Sequence, residues 1–130
     1  MDGPTAVAEE QSLFDRIGGR DAVNAAVDIF YDKVLADPAV SYFFEGANTA
    51  LLRNKQKAFL TFAFGGPARY DGKSLRDAHG HLVERGLDDT HFDIVAGHLL
   101  ATVQELGVPE AQIDEIMAIA SSTRNDVLGR

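Results

Sequence analysis

Apolar residues recur every three or four positions along almost the whole chain, the spacing that one face of an α-helix presents. No stretch alternates strictly between apolar and polar residues, as a half-buried strand would. The pattern therefore predicts an all-α fold. We expect helices at about 12–18, 20–36, 48–64, 74–86, 90–106 and 109–128, with a tight aromatic turn at 41–46. Residues 1–11 are expected to form a short flexible arm, and residues 12–130 a single domain.

Capping signals mark the ends of several predicted helices. Ser12 is placed to cap the first helix, with Asp15 completing a capping box. Asp37 precedes a proline and should end the second helix, because the residue before a proline avoids helical geometry. Ser74 and Thr90 are the predicted caps of the fourth and fifth helices.

Composition narrows the classes of protein to which the chain can belong. It has 130 residues, of which 45% are hydrophobic, enough for the core of one domain. The absence of cysteine excludes disulfides, thiolate zinc sites and iron–sulfur clusters, and it fits a cytoplasmic location. The net charge of −8 lacks the basic footprint of a nucleic-acid binder. No apolar run is long enough to span a bilayer. We expect a cytoplasmic monomer that binds neither nucleic acid nor membrane.

Two of the four histidines, His79 and His81, lie two positions apart on one predicted helix. Residues at this spacing differ by about 200° around the helix axis, so their side chains leave opposite faces. His79 shares a face with Leu75 and Leu82 and should point inward, whereas His81 should face solvent. The two rings therefore cannot chelate one metal unless the helix breaks. The ordinary alternative for His79 is a core histidine that bonds a backbone carbonyl.

Polar residues also interrupt the apolar faces of two other helices. Tyr31 lies in the apolar stripe of the second helix, and Gln56 in that of the third. A buried polar group without a partner costs about 1–3 kcal/mol. Tyr31 and Gln56 either bond each other or the backbone, or point into an apolar cavity that takes a small polar ligand. Lys55 borders the same stripe, and its ordinary role would be a solvated lysine.

One inward histidine opposite a tyrosine and a glutamine favours a cofactor held by one axial nitrogen. Haem fits, because its iron takes a single proximal histidine and leaves the far side open. Zinc fits poorly, because it requires three or four protein ligands.

The chain resembles group I of the truncated haemoglobins over residues 12–130, with a pattern closest to cyanobacterial and green-algal members. The resemblance rests on the motifs LFDRIGG, FYDKVLADPAV, FFEG, KQKAFLTFAFGGP, LRDAH, HFDIVAGHL and ELGVP. It implies a two-over-two helical sandwich around a haem. It also implies that His79 is the proximal iron ligand and that Tyr31 and Gln56 hydrogen-bond bound oxygen. Leu52 occupies the position of a distal histidine and cannot donate. The implied haem-packing positions are Phe44, Leu75, Leu87, Phe92, Val95 and Ile116.

The chain departs from its apparent relatives in two places. Some members carry a histidine in the last helix that bonds covalently to a haem vinyl group. Here that helix has no histidine, and Thr123 lies near the matching spot, so we expect noncovalent haem b. In some members the residue before the distal glutamine ligates iron, and here that residue is Lys55. An amine ligates only when deprotonated, so ligation should strengthen as pH rises. The alternative is a bond from Lys55 to a haem propionate. Tyr70 matches another position from which members of the family reach the propionates.

Three functions remain open at this point. The leading expectation is a haem protein that binds oxygen, nitric oxide and carbon monoxide, with a Lys/His six-coordinate resting state. The second is an enzyme, either a nitric oxide dioxygenase or a haem reductase of small nitrogen oxides. It would need an external reductase, because no flavin or nicotinamide motif is present. The third is a haem-free helical interaction module.

Overall fold

The structure, a computed structural model, describes residues 11–67 and 75–130, and these ranges contain helices and no strand. The predicted all-α fold is confirmed. In chain order the elements are α1 (Leu13–Arg16), α2 (Gly19–Ala36), α3 (Pro38–Ser41), a 3-10 turn (Tyr42–Phe44), α4 (Thr49–Ala63), α5 (Leu75–Glu84), α6 (Asp89–Glu105), α7 (Glu110–Ser122) and α8 (Arg124–Val127). The aromatic turn predicted at 41–46 contains the 3-10 turn, whereas the short helix α3 before it was not predicted.

Side-chain caps fix the N-termini of α1 and α3. The Ser12 hydroxyl accepts a hydrogen bond from the backbone N–H of Asp15 at 3.1 Å, as predicted. Asp37 ends α2 and caps α3, because its carboxylate accepts from the backbone N–H of Ala39 at 2.9 Å. Each bond satisfies an N–H group that has no partner inside the helix.

The prediction that Thr90 caps α6 was wrong. Asp88 is the cap, and its carboxylate accepts from the backbone N–H groups of Thr90 and His91 at 3.0 and 3.4 Å. The backbone N–H of Asp88 in turn donates to Nδ1 of His91 at 3.1 Å. This reciprocal pair is a capping box closed by histidine instead of the usual glutamate or glutamine, and for that reason the sequence pattern did not reveal it.

The single last helix predicted over 109–128 was also wrong, because the chain breaks it at Thr123 into α7 and α8. The Thr123 hydroxyl donates to the carbonyl of Ala120 at 2.6 Å. A threonine that bonds the preceding turn in this way competes with regular helix geometry. Ser74, predicted as a cap, and residues 1–10 of the predicted arm lie outside the described residues.

Two helix pairs form the core. α2 packs against α4, α6 packs against α7, and α2 also contacts α6, which joins the pairs. The side chains at their crossings are apolar and buried: Val23, Val27, Val34, Leu60, Val103 and Ile116. Each such side chain stabilises the fold by about 1.5–3 kcal/mol when removed from water. α5, which carries His79, packs mainly against α8 and has no fully buried residue.

Gly66, just after α4, lies directly against the ring of Phe14. A Cβ atom at position 66 would stand only 2.6–2.9 Å from three carbons of that ring. Phe14 is 5% exposed and cannot swing out of the core. The backbone around it is also fixed, because Gly66 N–H donates to the carbonyl of Thr61 at 2.7 Å. Only glycine fits this close approach.

A Gly66→Ala substitution should therefore lower the free energy of unfolding by about 1–3 kcal/mol through overpacking. Gly97→Ala is the matched control, because Gly97 lies inside α6 and a Cβ atom there would have no neighbour within 4 Å. That change should raise the free energy of unfolding by about 0.5–1 kcal/mol through helix propensity. Denaturant unfolding of both variants measures the difference, and equal effects would contradict the close approach of Gly66 to Phe14.

Candidate functional site

His79 is held on α5 by a hydrogen bond to the preceding turn. Its Nδ1 lies 2.8 Å from the backbone carbonyl of Leu75. Because a carbonyl only accepts, Nδ1 must carry the proton, which leaves the lone pair on Nε2. Burial lowers the pKa of His79 below its ordinary value, even though the bond to Leu75 acts in the opposite direction. The ring is therefore neutral near pH 7, in the form that a metal ligand requires.

The predicted split between the two neighbouring histidines is confirmed. His79 is partly buried, whereas His81 is exposed on the other side of α5. The remaining two histidines have partners within the protein. His98 lies 2.7 Å from the carboxylate of Asp37, and His91 closes the capping box of α6.

Tyr31 is buried in α2, with 8% of its surface exposed. Its ring meets those of Phe30 and Phe44 edge-on, at centroid distances of 5.4 and 6.1 Å. Burial raises the pKa of Tyr31 to about 12, although the nearby Arg53 charge acts against this rise. The hydroxyl is thus protonated at neutral pH. It has no hydrogen-bond partner among the described residues, so it does not bond Gln56.

The other predicted distal residues lie on α4 and beside it. Leu52 and Phe44 are partly buried and pack against the core. Gln56 is partly buried on the same helix, whereas Lys55 is exposed. Neither side chain makes a hydrogen bond or an ion pair within the described part of the chain. Tyr70, predicted at a haem propionate, lies outside the described residues.

Arg53 is a neighbour of this site that the sequence pattern did not single out. Its guanidinium lies 5.7 Å from the centre of the Tyr31 ring. It also donates to the backbone carbonyl of Asp28 at 3.0 Å and to the carboxylate of Asp32 at 2.7 Å. The sequence does contain a signal for this contact. Asp28 and Asp32 lie four residues apart on α2, and Arg53 and Lys57 lie four residues apart on α4, so the two helices carry opposite charges.

The predicted haem-packing residues fall into two groups. Ile116 is 1% exposed and belongs to the core, and Val95 packs against that core. Leu75, Leu87 and Phe92 are partly exposed and stand outside the core cluster. These last three provide apolar surface on and next to α5 that the described residues cover only in part. Ile116 instead lines an apolar cavity of about 140 Å³ between the two helix pairs.

One face of the Phe92 ring is covered by a charged side chain. The guanidinium of Arg124 lies 4.5 Å from the ring centroid, within the range of a cation–π contact. Arg124 also bonds the carboxylates of Asp89 and Asp93 at 3.0 and 2.6 Å. Phe92 therefore has only its other face and its edges for an apolar neighbour.

The side chains around His79 and Tyr31 indicate which cofactor or metal ion this site could hold. His79 supplies one neutral nitrogen with a free lone pair, and Tyr31 supplies a buried hydroxyl donor. Within ranges 11–67 and 75–130, no three His, Asp or Glu side chains stand close enough to hold a metal ion. The same ranges contain no helix long and apolar enough to cross a bilayer. The combination fits haem, a flat apolar group that takes one axial histidine.

Comparison with known proteins gives the same assignment. Residues 12–128 match the family model described as bacterial-like globin. The chain is 48% identical over 122 residues to the group 1 truncated hemoglobin GlbN of Synechocystis sp., covering 92% of this chain and 98% of that protein. It is 50% identical over 117 residues to the group 1 truncated hemoglobin LI410 of Chlamydomonas moewusii, covering 90% and 68%.

A solved structure is similarly close. The 2/2 hemoglobin from Synechococcus sp. PCC 7002, in the cyanomet state and with covalently attached heme, superposes with a TM-score of 0.89. The two chains are 48% identical, and the match covers 92% of this chain and 100% of the other.

Proposed function

Because the chain belongs to the bacterial-like globin family, as a group I truncated haemoglobin with the two-over-two fold and haem b as its cofactor, we propose that it binds oxygen and other diatomic ligands at the haem iron. In this proposal His79 is the proximal ligand, and Tyr31 and Gln56 donate hydrogen bonds on the opposite side. The observation that carries the proposal is the His79 ring, whose Nδ1 bonds the Leu75 carbonyl and whose Nε2 has no hydrogen-bond partner among residues 11–67 and 75–130.

The haem is held without a covalent bond from the last helices. The four histidines of the chain are His79, His81, His91 and His98, so α7 and α8 contain none. The relative from Synechococcus is described with covalently attached heme, but this chain has no imidazole in α7 or α8 that could form such a bond. Thr123 lies at the break between those two helices.

When bound, haem would supply an iron that binds a diatomic ligand, and Nε2 of His79 would hold that iron. The Leu75 carbonyl fixes the orientation of the His79 ring and increases the basicity of Nε2. Tyr31 remains a donor at all physiological pH values, because burial raises its pKa to about 12. A hydrogen bond in a buried, low-dielectric pocket counts for more than one in water. Leu52 offers no donor, so Tyr31 and Gln56 together determine how slowly the ligand leaves.

Reconstitution of the full chain with hemin tests this function directly. We expect a Soret band, and after reduction a reversible spectral change with oxygen and with carbon monoxide. The absence of a Soret band would reject the haem protein and favour a helical interaction module instead.

Lys55 is the proposed sixth ligand in the absence of an exogenous one. It is exposed on α4, one residue before Gln56, and its amine has no carboxylate partner in the described part of the chain. Its four-carbon stem is flexible, so the amine can reach groups several ångströms away. Leu52, on the same helix, cannot compete for the iron. The alternative proposal for Lys55 is a salt bridge to a haem propionate.

Ferric absorbance spectra of the wild type and of Lys55→Ala, recorded from neutral to alkaline pH, distinguish these roles. If Lys55 ligates, low-spin bands should grow as pH rises in the wild type and disappear in the variant, because only the deprotonated amine binds. Lys57→Ala is the matched control, because Lys57 lies one place beyond Gln56 and is paired with Asp28 at 3.3 Å. Low-spin bands that persist in Lys55→Ala would exclude lysine as the sixth ligand.

A second candidate function is oxidation of nitric oxide to nitrate. It is supported by the buried Tyr31 hydroxyl, because a donor that retains oxygen gives nitric oxide time to react with it. Nitric oxide, oxygen and one electron from an external reductase balance to one nitrate ion. Nitrate formation over many turnovers with a reductant supports this enzyme, whereas a protein that binds oxygen without turnover excludes it.

A further inference from the structure

The distal tyrosine is in contact with a charged network that reaches it from a different helix. Arg53 extends from α4 towards α2, and its guanidinium carbon lies 5.7 Å from the centroid of the Tyr31 ring. The Arg53 side chain is only 22% exposed although it carries a full charge. A cation so placed is attracted by the ring, and the attraction grows as water is excluded.

The position of this guanidinium is set by three acceptors on α2. One nitrogen donates to the backbone carbonyl of Asp28 at 3.0 Å and to its carboxylate at 3.3 Å. The other donates to the carboxylate of Asp32 at 2.7 Å. Asp28 and Asp32 lie one turn apart on the outer side of α2, three residues before and one residue after Tyr31. The planar fork of arginine is suited to such a set of acceptors, and lysine is not.

The aromatic neighbours of the Tyr31 ring, Phe30 and Phe44, are apolar. Phe30 and Phe44 meet the ring edge-on, and these contacts provide packing but no hydrogen bond or charge. The hydroxyl itself makes no hydrogen bond within the described residues that could hold it. Among the neighbours of the Tyr31 ring in the described part of the chain, Arg53 is therefore the one whose side chain is fixed by hydrogen bonds, all of them to α2.

We infer that Arg53 is a positioning residue for Tyr31, which holds the ring so that its hydroxyl points at the diatomic ligand and thereby slows ligand release. The inference rests on the proposed function, in which Tyr31 is the distal donor. It makes the rate of ligand release depend on a surface network of Arg53, Asp28 and Asp32. The positive charge also acts against the rise in the pKa of Tyr31 that burial causes, which makes the hydroxyl a better donor.

The test compares substitutions in the haem-loaded full chain. Arg53→Met removes the charge and the fork while keeping an unbranched apolar stem, and Arg53→Lys keeps the charge without the fork. Lys57→Met is the matched control, because Lys57 pairs with the same Asp28 at 3.3 Å, and the ring contact of Tyr31 is with Arg53. Asp32→Asn weakens one anchor of Arg53 and provides a second variant if Arg53→Met folds poorly.

Two readouts are needed. Stopped-flow oxygen dissociation should be about three- to tenfold faster in Arg53→Met, as expected for losing one cation–π contact and the order it imposes. Asp32→Asn and Arg53→Lys should give intermediate increases, and Lys57→Met should match the wild type. The second readout is the ¹⁹F NMR line of 3-fluorotyrosine at position 31, assigned with Tyr31→Phe. It should shift and broaden in Arg53→Met but not in Lys57→Met.

The outcomes separate this inference from the proposed function. If Tyr31→Phe accelerates oxygen release but Arg53→Met leaves both readouts unchanged, Arg53 is not a positioning residue and the distal role of Tyr31 stands. If Tyr31→Phe itself has no effect on oxygen release, the proposed function loses its distal donor, and the inference falls with it. Equal effects of Arg53→Met and Lys57→Met would indicate loss of helix packing and would also overturn the inference.

Discussion

A His79→Ala variant is expected to lose tight haem binding, with an affinity lower by about 10²-fold or more, because the other three histidines of the chain are exposed or paired within the protein. In the structure, His79 combines a bound Nδ1, a free Nε2 and a pKa lowered by burial. Alanine keeps the helix and removes only the imidazole. Hemin titration followed at the Soret band measures the affinity. Imidazole added in solution should restore a histidine-type spectrum by entering the space left by the side chain.

His81→Ala is the control for this experiment. His81 lies two residues away on the same helix and is exposed, so its removal should leave the affinity and the spectrum unchanged. A His79→Ala protein that kept both its haem affinity and its histidine-ligated spectrum would disprove the proximal assignment. Equal losses in the two variants would instead indicate that α5 as a whole had been disturbed.

A Tyr31→Phe variant is expected to release oxygen about 10- to 100-fold faster than the wild type. A hydrogen bond to a group with charge contributes about 1.5–3 kcal/mol, and each 1.4 kcal/mol changes a rate or an equilibrium by tenfold. Phenylalanine keeps the ring contacts with Phe30 and Phe44 and removes only the hydroxyl. Because the pKa of Tyr31 is about 12, the difference between variant and wild type should stay constant across the neutral range and vanish only near that pH.

Oxygen dissociation measured by stopped flow provides the test, with Tyr42→Phe as the matched control. The Tyr42 hydroxyl pairs with Nε2 of His91 at 3.3 Å, and the residue is 38% exposed. Its loss should not change oxygen release. A double-mutant cycle with Gln56→Leu would show whether the two donors act together, since residues that share one ligand are not additive. An unchanged rate in Tyr31→Phe would show that the distal donor lies elsewhere.

The predictions for His79 and Tyr31 depend on the positions of these two side chains, which the sequence alone predicts only in part. The inward position of His79 follows from helical periodicity, and the structure confirms it together with its bond to a backbone carbonyl. The burial of Tyr31 also follows from its stripe. Whether its hydroxyl bonds Gln56 or stays available was open from the sequence, because the answer depends on the distance between two helices.

Most of the features that the sequence pattern did not predict depend on contacts between residues far apart in the chain. Arg53 and Asp32 are 21 residues apart, so the charge pattern of each helix shows an acidic pair and a basic pair but not that the two pairs meet. The wrong cap of α6 has a local cause instead, because Asp88 accepts from the backbone N–H groups of Thr90 and His91 and the His91 ring, three residues on, accepts from the Asp88 N–H. Ile116 was expected at the haem, and the packing of α2, α4, α6 and α7 places it in the core and against an apolar cavity.

The sequence by itself determined the approximate positions of the longer helices, the split between His79 and His81, and the family, because each of these depends on spacing within a few turns or on motifs read in order. Only the tertiary structure decided which side chains meet across helices. It places the guanidinium of Arg53 over Tyr31 and leaves the tyrosine hydroxyl unpaired in the described part of the chain. The physical reason is that periodicity assigns a side chain to a face of its own helix, whereas its partner depends on how distant helices cross.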